Sequence, residues 1–148
     1  MAWKPSVTVA AVMENGGRFL LVEEEDEGRL VYNQPAGHWE RGETLVQACA
    51  REVMEESAHR FEPTALVGVY RWSPPRGDVT YLRFAFSGQT LGVELERPLD
   101  EGIVRAVWLT PEEIRALAPQ HRSPLVWRCI EDYTAGRRFP LDLIRHYD

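Results

Sequence analysis

Residues 44–57 constrain the fold most, because their apolar side chains recur at the spacing of a helix. Thr44 opens the segment and Gln47 follows three residues later, the capping-box pattern of a helix N-terminus. The apolar positions at helical spacing are Leu45, Ala48, Cys49 and Val53. The segment therefore predicts an α-helix.

Three carboxylates share one face of this predicted helix. Glu52, Glu55 and Glu56 stand at positions i, i+3 and i+4, which a helix places in one narrow stripe. Carboxylates this close repel one another unless cations neutralise them, and hard divalent ions such as Mg²⁺ prefer oxygen ligands. An acidic stripe is also typical of a solvated helix surface, so on spacing alone both interpretations stay open.

Short apolar runs separated by glycine and proline make up most of the remaining chain. Residues 7–13 and 18–23 flank Gly16 and Gly17 and predict a β-hairpin, with an acidic, solvated exit at 23–27. Further strands are predicted at 66–72, 80–87 and 103–109, and helices at 110–117 and from 123 to a glycine cap at 136. Strands and helices mix without regular βαβ alternation. We therefore expect one α+β domain over residues 1–148, with a mixed β-sheet sandwiched between α-helices.

Size and charge exclude several classes of function. The chain has 148 residues and a formal net charge of −6, which argues against general binding to nucleic-acid backbones. Cys49 and Cys129 have no CxxC spacing and no partner histidine, so we expect reduced core thiols. The apolar run at 7–13 is too short to cross a membrane. We expect a cytoplasmic protein that binds neither nucleic acid nor membrane.

A longer pattern surrounds the acidic stripe. Five residues separate Gly37 from Glu43, seven more precede Arg51 and Glu52, and Glu55 and Glu56 follow after two further positions. This spacing resembles the Nudix box, Gly-x5-Glu-x7-Arg-Glu-U-x-Glu-Glu-x-Gly-U, where U is a bulky aliphatic residue. A chance match at the six polar and glycine positions has odds on the order of 10⁻⁵ at average composition. The resemblance favours a metal site over a solvated stripe and implies the Nudix fold, an α/β/α sandwich.

The end of the box departs from the family pattern. Ala58 stands where the family has glycine, and His59 stands where it has an aliphatic residue. Alanine disfavours the left-handed conformation that glycine permits, so we expect the helix to continue for a residue or two. This change affects the loop after the helix rather than the metal ligands.

Segments outside the box are also similar to the bacterial NudJ-type phosphatases of this family. They are residues 7–10, 33–38, 81–84, 122–126 and 136–144. The resemblance implies Mg²⁺-dependent hydrolysis of phosphoanhydride bonds in small-molecule diphosphates, with Mn²⁺ as a possible substitute. It implies release of phosphate from nucleoside tri- and diphosphates, from hydroxymethylpyrimidine pyrophosphate, and by extension from thiamine pyrophosphate.

The resemblance also implies roles for single residues. The implied metal ligands are Glu52, Glu56, Glu55 directly or through water, the carbonyl of Ala36, and Glu101 beside Asp100 from a later loop. Arg51 and Glu43 are expected to pair and hold the box loop against the helix. The general base varies within the family, and Glu52 is our preferred choice. The catalytic set is therefore Glu43, Arg51, Glu52 and Glu55.

Substrate-binding candidates lie in and around the box. Gly37 is expected to take a backbone conformation, or to allow a close approach, that a side chain would block, and His38 follows it in the loop. Arg71 and Arg83 can hold phosphate oxygens, or pair only with acidic neighbours. Tyr32, Trp39 and Trp72 are candidates for stacking on a base, although aromatic residues beside a sheet often belong to the core.

Two other functions stay open for such a chain. One is a nucleotide pyrophosphohydrolase, which releases pyrophosphate instead of phosphate. The other is a non-catalytic nucleotide-sensing Nudix domain, although such sensors lose box glutamates or add a DNA-binding domain, and this chain does neither. A monomer and a homodimer both agree with the sequence.

Overall fold

Residues 2–148, the part of the chain that this computed structural model describes, form eight strands and three α-helices. The strands are β1 (Ser6–Val12), β2 (Glu14–Asn15), β3 (Arg18–Asp26), β4 (Arg29–Asn33), β5 (Ala36–His38), β6 (His59–Trp72), β7 (Tyr81–Val93) and β8 (Ile103–Leu109). The helices are α1 (Leu45–Ser57), α2 (Pro111–Ala116) and α3 (Leu125–Thr134). Within the same residues, no helix combines the length and the apolar character needed to cross a membrane.

The strands form two four-stranded sheets rather than one. The first sheet is mixed and has the order β5-β1-β7-β6, with β1 parallel to β7 and the other pairs antiparallel. The second has the order β2-β3-β4, and β8 pairs with the other edge of β3. The long hairpin predicted from residues 7–23 is wrong, because β1 pairs with β5 and β7 while only the short β2 pairs with the start of β3.

The helices cover the strands from two sides. Val9 and Ala11 of β1 pack with α1 residues such as Ala48, while Ala10 and Val12 pack with α3 residues such as Val126. Successive strand residues point to opposite faces, so a strand buried on both faces is apolar throughout. The predicted helix–sheet–helix layering and the α+β class are confirmed.

Most of the acidic exit predicted at residues 23–27 belongs to a strand, and only Glu25 and Glu27 are exposed. β3 continues to Asp26 and pairs with β4 along its whole acidic half. The side chains of Glu23 and Glu24 are each only 12% exposed. Pairing with β4 and β8 buries these side chains, and the local hydrophobic pattern does not predict that burial.

Helix α1 ends at Ser57, and the expected extension past the box is wrong. Ala58 adopts the left-handed conformation, with φ 58° and ψ 19°, and its N–H donates to the carbonyl of Met54 at 2.9 Å. The carbonyl of Ala58 accepts from the N–H of Glu94 at 2.7 Å, and β6 begins at the next residue. The bond to Met54 is the last one of the helix, whereas the bond from Glu94 is a tertiary contact that, with the start of β6, imposes the turn on alanine despite its cost.

Replacing Ala58 by glycine should therefore stabilise the fold. Glycine adopts positive φ without the steric cost that alanine has, so we expect Ala58→Gly to raise the free energy of unfolding by up to about 1 kcal/mol. Urea denaturation measures the change. The matched control is Ala50→Gly inside α1, where the same substitution should destabilise by about 0.5–1 kcal/mol. A loss of stability in Ala58→Gly would contradict strain at this cap.

Candidate active site

Arg51 of α1 connects the box loop to the acidic stripe. Its guanidinium holds Glu43 through two hydrogen bonds, Nη2 to Oε1 at 2.8 Å and Nε to Oε2 at 3.0 Å. Nη1 donates to Glu52 at 3.0 Å and to Glu55 at 2.8 Å, and Nη2 also donates to the carbonyl of His38 at 2.9 Å. The predicted pairing of Arg51 with Glu43 is confirmed, and the bonds from Arg51 lower the pKa of Glu43. The loop and the stripe are thus held in one arrangement.

Three carboxylates come together beside Arg51. Oxygens of Glu52, Glu55 and Asp100 all lie within 4.8 Å of one another. The N–H of Asp100 donates to the carbonyl of Glu55 at 2.9 Å, which fixes the later loop against the end of α1. The predicted ligand from this loop was Glu101, but its neighbour Asp100, which is equally exposed, lies in the cluster instead. The tight turn that leads into β8 decides between the two neighbours.

Gly37 leaves the space that the Glu52 carboxyl group occupies. A Cβ atom built on Gly37 would overlap Cδ and both carboxylate oxygens of Glu52. The φ of Gly37 is not in the left-handed region, so the requirement for glycine here is steric rather than conformational. The predicted close approach is confirmed, and its partner is the first glutamate of the stripe.

Glu56, the last carboxylate of the stripe, lies outside the cluster of Glu52, Glu55 and Asp100 and contacts β5. Its Oε1 accepts from the N–H of Ala36 at 2.9 Å. Burial raises the pKa of Glu56 to about 8, against the opposing effect of that N–H, and the charges of Glu24, Glu52 and Asp100 raise it further. Burial likewise raises the pKa of Glu52 to about 7, although its bonds to Arg51 oppose the shift. Two partly desolvated carboxyls beside further acidic groups suit a cation that replaces their protons.

This donor set fits a hard divalent cation. Carboxylate oxygens are the ligands that Mg²⁺ and Mn²⁺ prefer, and neither sulfur nor imidazole belongs to the cluster of Glu52, Glu55 and Asp100. The positive charge of Arg51 neutralises only part of the negative charge of these groups and Glu43. The surplus negative charge lies where a cation can compensate it.

A cleft of about 520 Å³ lies next to Glu56. Ala36, Gly37 and His38 line it together with Glu56, so the box loop forms one part of its wall. Another part contains the predicted residues Arg83 and Trp72, and the Trp72 ring stacks on Tyr81 at a centroid distance of 5.8 Å and an angle of 17°. The structure thus brings an aromatic pair, a guanidinium and the acidic group to one cleft.

Three other predicted substrate contacts lie outside this lining. Tyr32 is 6% exposed, with its ring in the core and its hydroxyl donating to Glu23, so it cannot stack on a ligand. Arg71 is exposed and precedes Trp72 on β6, and because neighbouring strand residues point to opposite faces it points away from the cleft. Trp39 donates its indole N–H to the carbonyl of Glu43 at 2.7 Å, which supports the box loop.

Four polar residues near the cleft were missed. Arg122 lines the cleft and pairs with Glu24, Nη1 to Oε1 at 2.6 Å. Asn33 and Gln34 hold the guanidinium of Arg83. Arg122, Asn33 and Gln34 lie in segments that resemble the family outside the box, and that likeness was the signal that could have found them. Glu24 was interpreted as solvated because its strand was missed.

Metal-free stability and metal binding should both depend on Glu52 and Glu56. Their folded pKa values, about 7 and about 8, exceed the usual 4.5, so the metal-free fold is favoured when both are protonated. Its stability should fall as pH rises from the unfolded through the folded pKa values. A divalent cation competes with these protons, so stabilisation by Mg²⁺ should grow between about pH 6 and about pH 9.

Melting temperatures with and without MgCl₂ across this pH range measure the effect. The double variant Glu52→Gln/Glu56→Gln should lose the pH-dependent part of the Mg²⁺ stabilisation. An Mg²⁺ effect that is equal at all pH values in the unmodified protein would contradict the coupling.

Known proteins are similar to this chain in sequence and in fold. The NUDIX domain family model matches residues 3–128. Phosphatase NudJ of Escherichia coli K12 is 40% identical over 146 residues, which cover 99% of this chain and 94% of that protein. A solved NUDIX hydrolase from Nitrosomonas europaea is 54% identical with a TM-score of 0.95, and the match covers 97% of this chain and 98% of that one. A MutT NUDIX hydrolase from Burkholderia pseudomallei, 18% identical with a TM-score of 0.74 over 88% of this chain and 98% of its own, shares the fold.

Family membership carries two general properties. Nudix hydrolases generally use divalent metal ions, and the family implies a small-molecule diphosphate substrate. The match covers the acidic stripe, Arg51 and the box loop together. This chain therefore belongs to the NUDIX family and is a Nudix hydrolase.

Proposed function

We propose that this enzyme is a Mg²⁺-dependent phosphatase of small-molecule diphosphates, which releases phosphate from nucleoside tri- and diphosphates. The observation that carries the proposal is the cluster of Glu52, Glu55 and Asp100 around Arg51, next to a cleft that Glu56 lines. The phosphate product is supported by the 40% identity to a protein named Phosphatase NudJ over nearly the whole chain. The reduced, buried thiols of Cys49 and Cys129 suit a cytoplasmic enzyme.

The metal-holding residues proposed here are Glu52, Glu55, Glu56 and Asp100, with the carbonyl of Ala36 as a further oxygen. Asp100 takes the place of Glu101 because its carboxylate lies in the cluster. A bound Mg²⁺ supplies charge neutralisation for the diphosphate, a lower pKa for the attacking water and stabilisation of the leaving oxygen.

The protein's own residues orient the metal-holding carboxylates and accept the proton of the attacking water. Arg51 fixes one oxygen of Glu52 at 3.0 Å, and Gly37 leaves room for the whole carboxylate. With Mg²⁺ bound the carboxyl group of Glu52 would be ionised, and a carboxylate held in this way can accept the proton of the attacking water. We propose Glu52 as this proton acceptor.

The substrate's remaining groups are proposed to bind along the cleft. Arg83 offers a guanidinium to phosphate oxygens, and the stacked rings of Trp72 and Tyr81 offer a flat surface to a base or a pyrimidine. His38 and Gly37 border the cleft at the box loop. Nucleoside diphosphates and hydroxymethylpyrimidine pyrophosphate each combine a planar ring with a charged diphosphate, so both classes fit this arrangement.

Product identification tests the proposal. The purified enzyme with Mg²⁺ is supplied with nucleoside triphosphates, nucleoside diphosphates, hydroxymethylpyrimidine pyrophosphate and thiamine pyrophosphate, and the phosphorus-containing products are resolved by ³¹P NMR. We expect inorganic phosphate from several of them. Pyrophosphate from the triphosphates would identify a pyrophosphohydrolase instead, and no turnover of any substrate would favour a nucleotide-sensing domain.

A further inference from the structure

Arg83 differs from the other arginines around the cleft in how its charge is balanced. Arg51 is paired with carboxylates of the box, and Arg122 is paired with Glu24. Arg83 lines the cleft and is only 5% exposed, yet the ion pairs formed within residues 2–148 do not include it. The most buried cation of the cleft is thus the one without a carboxylate.

Two neutral amides hold this guanidinium. Nη1 donates to Oε1 of Gln34 at 2.9 Å, and Nη2 donates to Oδ1 of Asn33 at 2.9 Å. The Nε2 group of Gln34 donates to the carbonyl of Val126 in α3 at 2.8 Å, which orients the amide. A guanidinium only donates hydrogen bonds, so both amides must turn their oxygens towards it.

The remaining neighbour does not supply a negative charge either. Nη1 of Arg83 lies 3.7 Å from the sulfur of Cys129. Burial raises the pKa of the Cys129 thiol, although Arg83 itself opposes the shift, so the thiol is neutral at pH 7. Within residues 2–148, Arg83 therefore has hydrogen-bond acceptors but no carboxylate at ion-pair distance.

A buried, unneutralised cation is costly to the fold. Arginine stays protonated in proteins, so it cannot relieve this cost by losing a proton. Amide oxygens replace some of its hydration but leave the net charge in place. An asparagine and a glutamine at these positions keep the charge available to whatever enters the cleft, whereas aspartate or glutamate would neutralise it.

We propose that Asn33 and Gln34 are positioning residues that hold Arg83 by neutral oxygens, so that a phosphate group of the substrate supplies its counter-charge. This inference rests on the proposed function for the identity of the anion. It assigns to Arg83 the binding of a phosphate group, and to the two amides the preservation of its charge. Arg122 contributes less, because Glu24 already neutralises it.

The test places a carboxylate where each amide now stands. Asn33→Asp and Gln34→Glu keep the size of the side chain and give Arg83 a permanent partner. Gln34→Glu also loses the Nε2–H that donates to the carbonyl of Val126, so Asn33→Asp is the decisive variant. We expect each to raise KM and the dissociation constant for inorganic phosphate by about tenfold or more, the size of a lost charge-assisted hydrogen bond, with kcat little changed. Asn15→Asp, the same change at an exposed residue of β2, is the control and should alter neither constant.

Isothermal titration with inorganic phosphate in the presence of Mg²⁺ measures binding without relying on turnover. Arg83→Met removes the charge while keeping apolar length, and it should weaken phosphate binding by at least as much. Melting temperatures separate positioning from structural damage. Asn33→Asp neutralises the buried charge and should melt no lower than the unmodified protein. Arg83→Met also leaves the amide oxygens of Asn33 and Gln34 without their donor, so some loss of stability is expected for that variant.

Three results would overturn the inference. They are phosphate binding by Asn33→Asp and Arg83→Met at the unmodified affinity, weaker binding by Asn33→Asp that is accompanied by a matching loss of thermal stability, and no phosphate binding by the unmodified protein. Failure of the proposed function has a different signature, because the unmodified protein would then hydrolyse no diphosphate while the titration would still report on Arg83.

Discussion

Replacing Glu56 by glutamine is expected to lower kcat for diphosphate hydrolysis by a factor of about 1,000, equivalent to about 4 kcal/mol of transition-state stabilisation. Glutamine keeps the shape of the side chain and an oxygen for the N–H of Ala36, which Glu56 now accepts at 2.9 Å. It removes the negative charge that the proposed metal site needs. Phosphate release at saturating substrate measures the effect.

The fold should tolerate this substitution. Burial raises the pKa of Glu56 to about 8, so the metal-free protein holds this carboxyl largely protonated at pH 7, and the neutral amide imitates that state. We therefore expect an unchanged melting temperature without metal and a smaller increase on adding Mg²⁺. Glu62→Gln, on the exposed side of β6, is the matched control. Nearly normal turnover by the Glu56→Gln enzyme would show that Glu56 is not part of the metal site.

Gly37→Ala is expected to lower kcat by about 100-fold through displacement of the Glu52 carboxylate, since small misplacements of catalytic groups have effects of this size. The added Cβ atom would overlap the carboxyl group of Glu52, which must then move away from Arg51 and from Asp100. Steady-state kinetics of the variant give the loss. Gly42→Ala in the same loop is the control. A Cβ atom there meets no atom within 4 Å, and because the φ of Gly42 is +86° the substitution should cost stability without moving Glu52.

A double-mutant cycle identifies the cause of this loss. Glu52→Ala removes the carboxyl group with which the new methyl group would collide. If displacement of Glu52 is the cause, adding Gly37→Ala to Glu52→Ala should change the residual activity little, so the two effects are far from additive. Additive losses would show that Gly37 acts through another contact.

The local part of the site was predictable from sequence because it is built from one helix and one loop. The capping box at Thr44, the stripe of Glu52, Glu55 and Glu56, and the pairing of Arg51 with Glu43 all involve residues within fourteen positions of one another. Helical periodicity and a fixed spacing are sufficient to place such groups. The layered α+β class followed from the same local patterns.

Features that depend on tertiary pairing were not predictable in the same way. β1 pairs with β7, more than seventy residues away, and with β5, rather than with β3, the strand of the predicted hairpin. Asp100 rather than Glu101 reaches the cluster because of the turn before β8, and two neighbouring acidic residues give no sequence signal to separate them. Ala58 is left-handed because its contact with Glu94 and the start of β6 override the local preference of alanine.

The dependence of phosphate release on Mg²⁺ tests the central claim most directly. Release from a nucleoside diphosphate is measured with MgCl₂ titrated into the enzyme after removal of divalent ions by EDTA. The account predicts hydrolysis that requires Mg²⁺, saturates with it, and is restored when the ion is added back. Phosphate release at the same rate in excess EDTA, or none at any Mg²⁺ concentration, would contradict a metal-dependent phosphatase at the Glu52, Glu55 and Asp100 cluster.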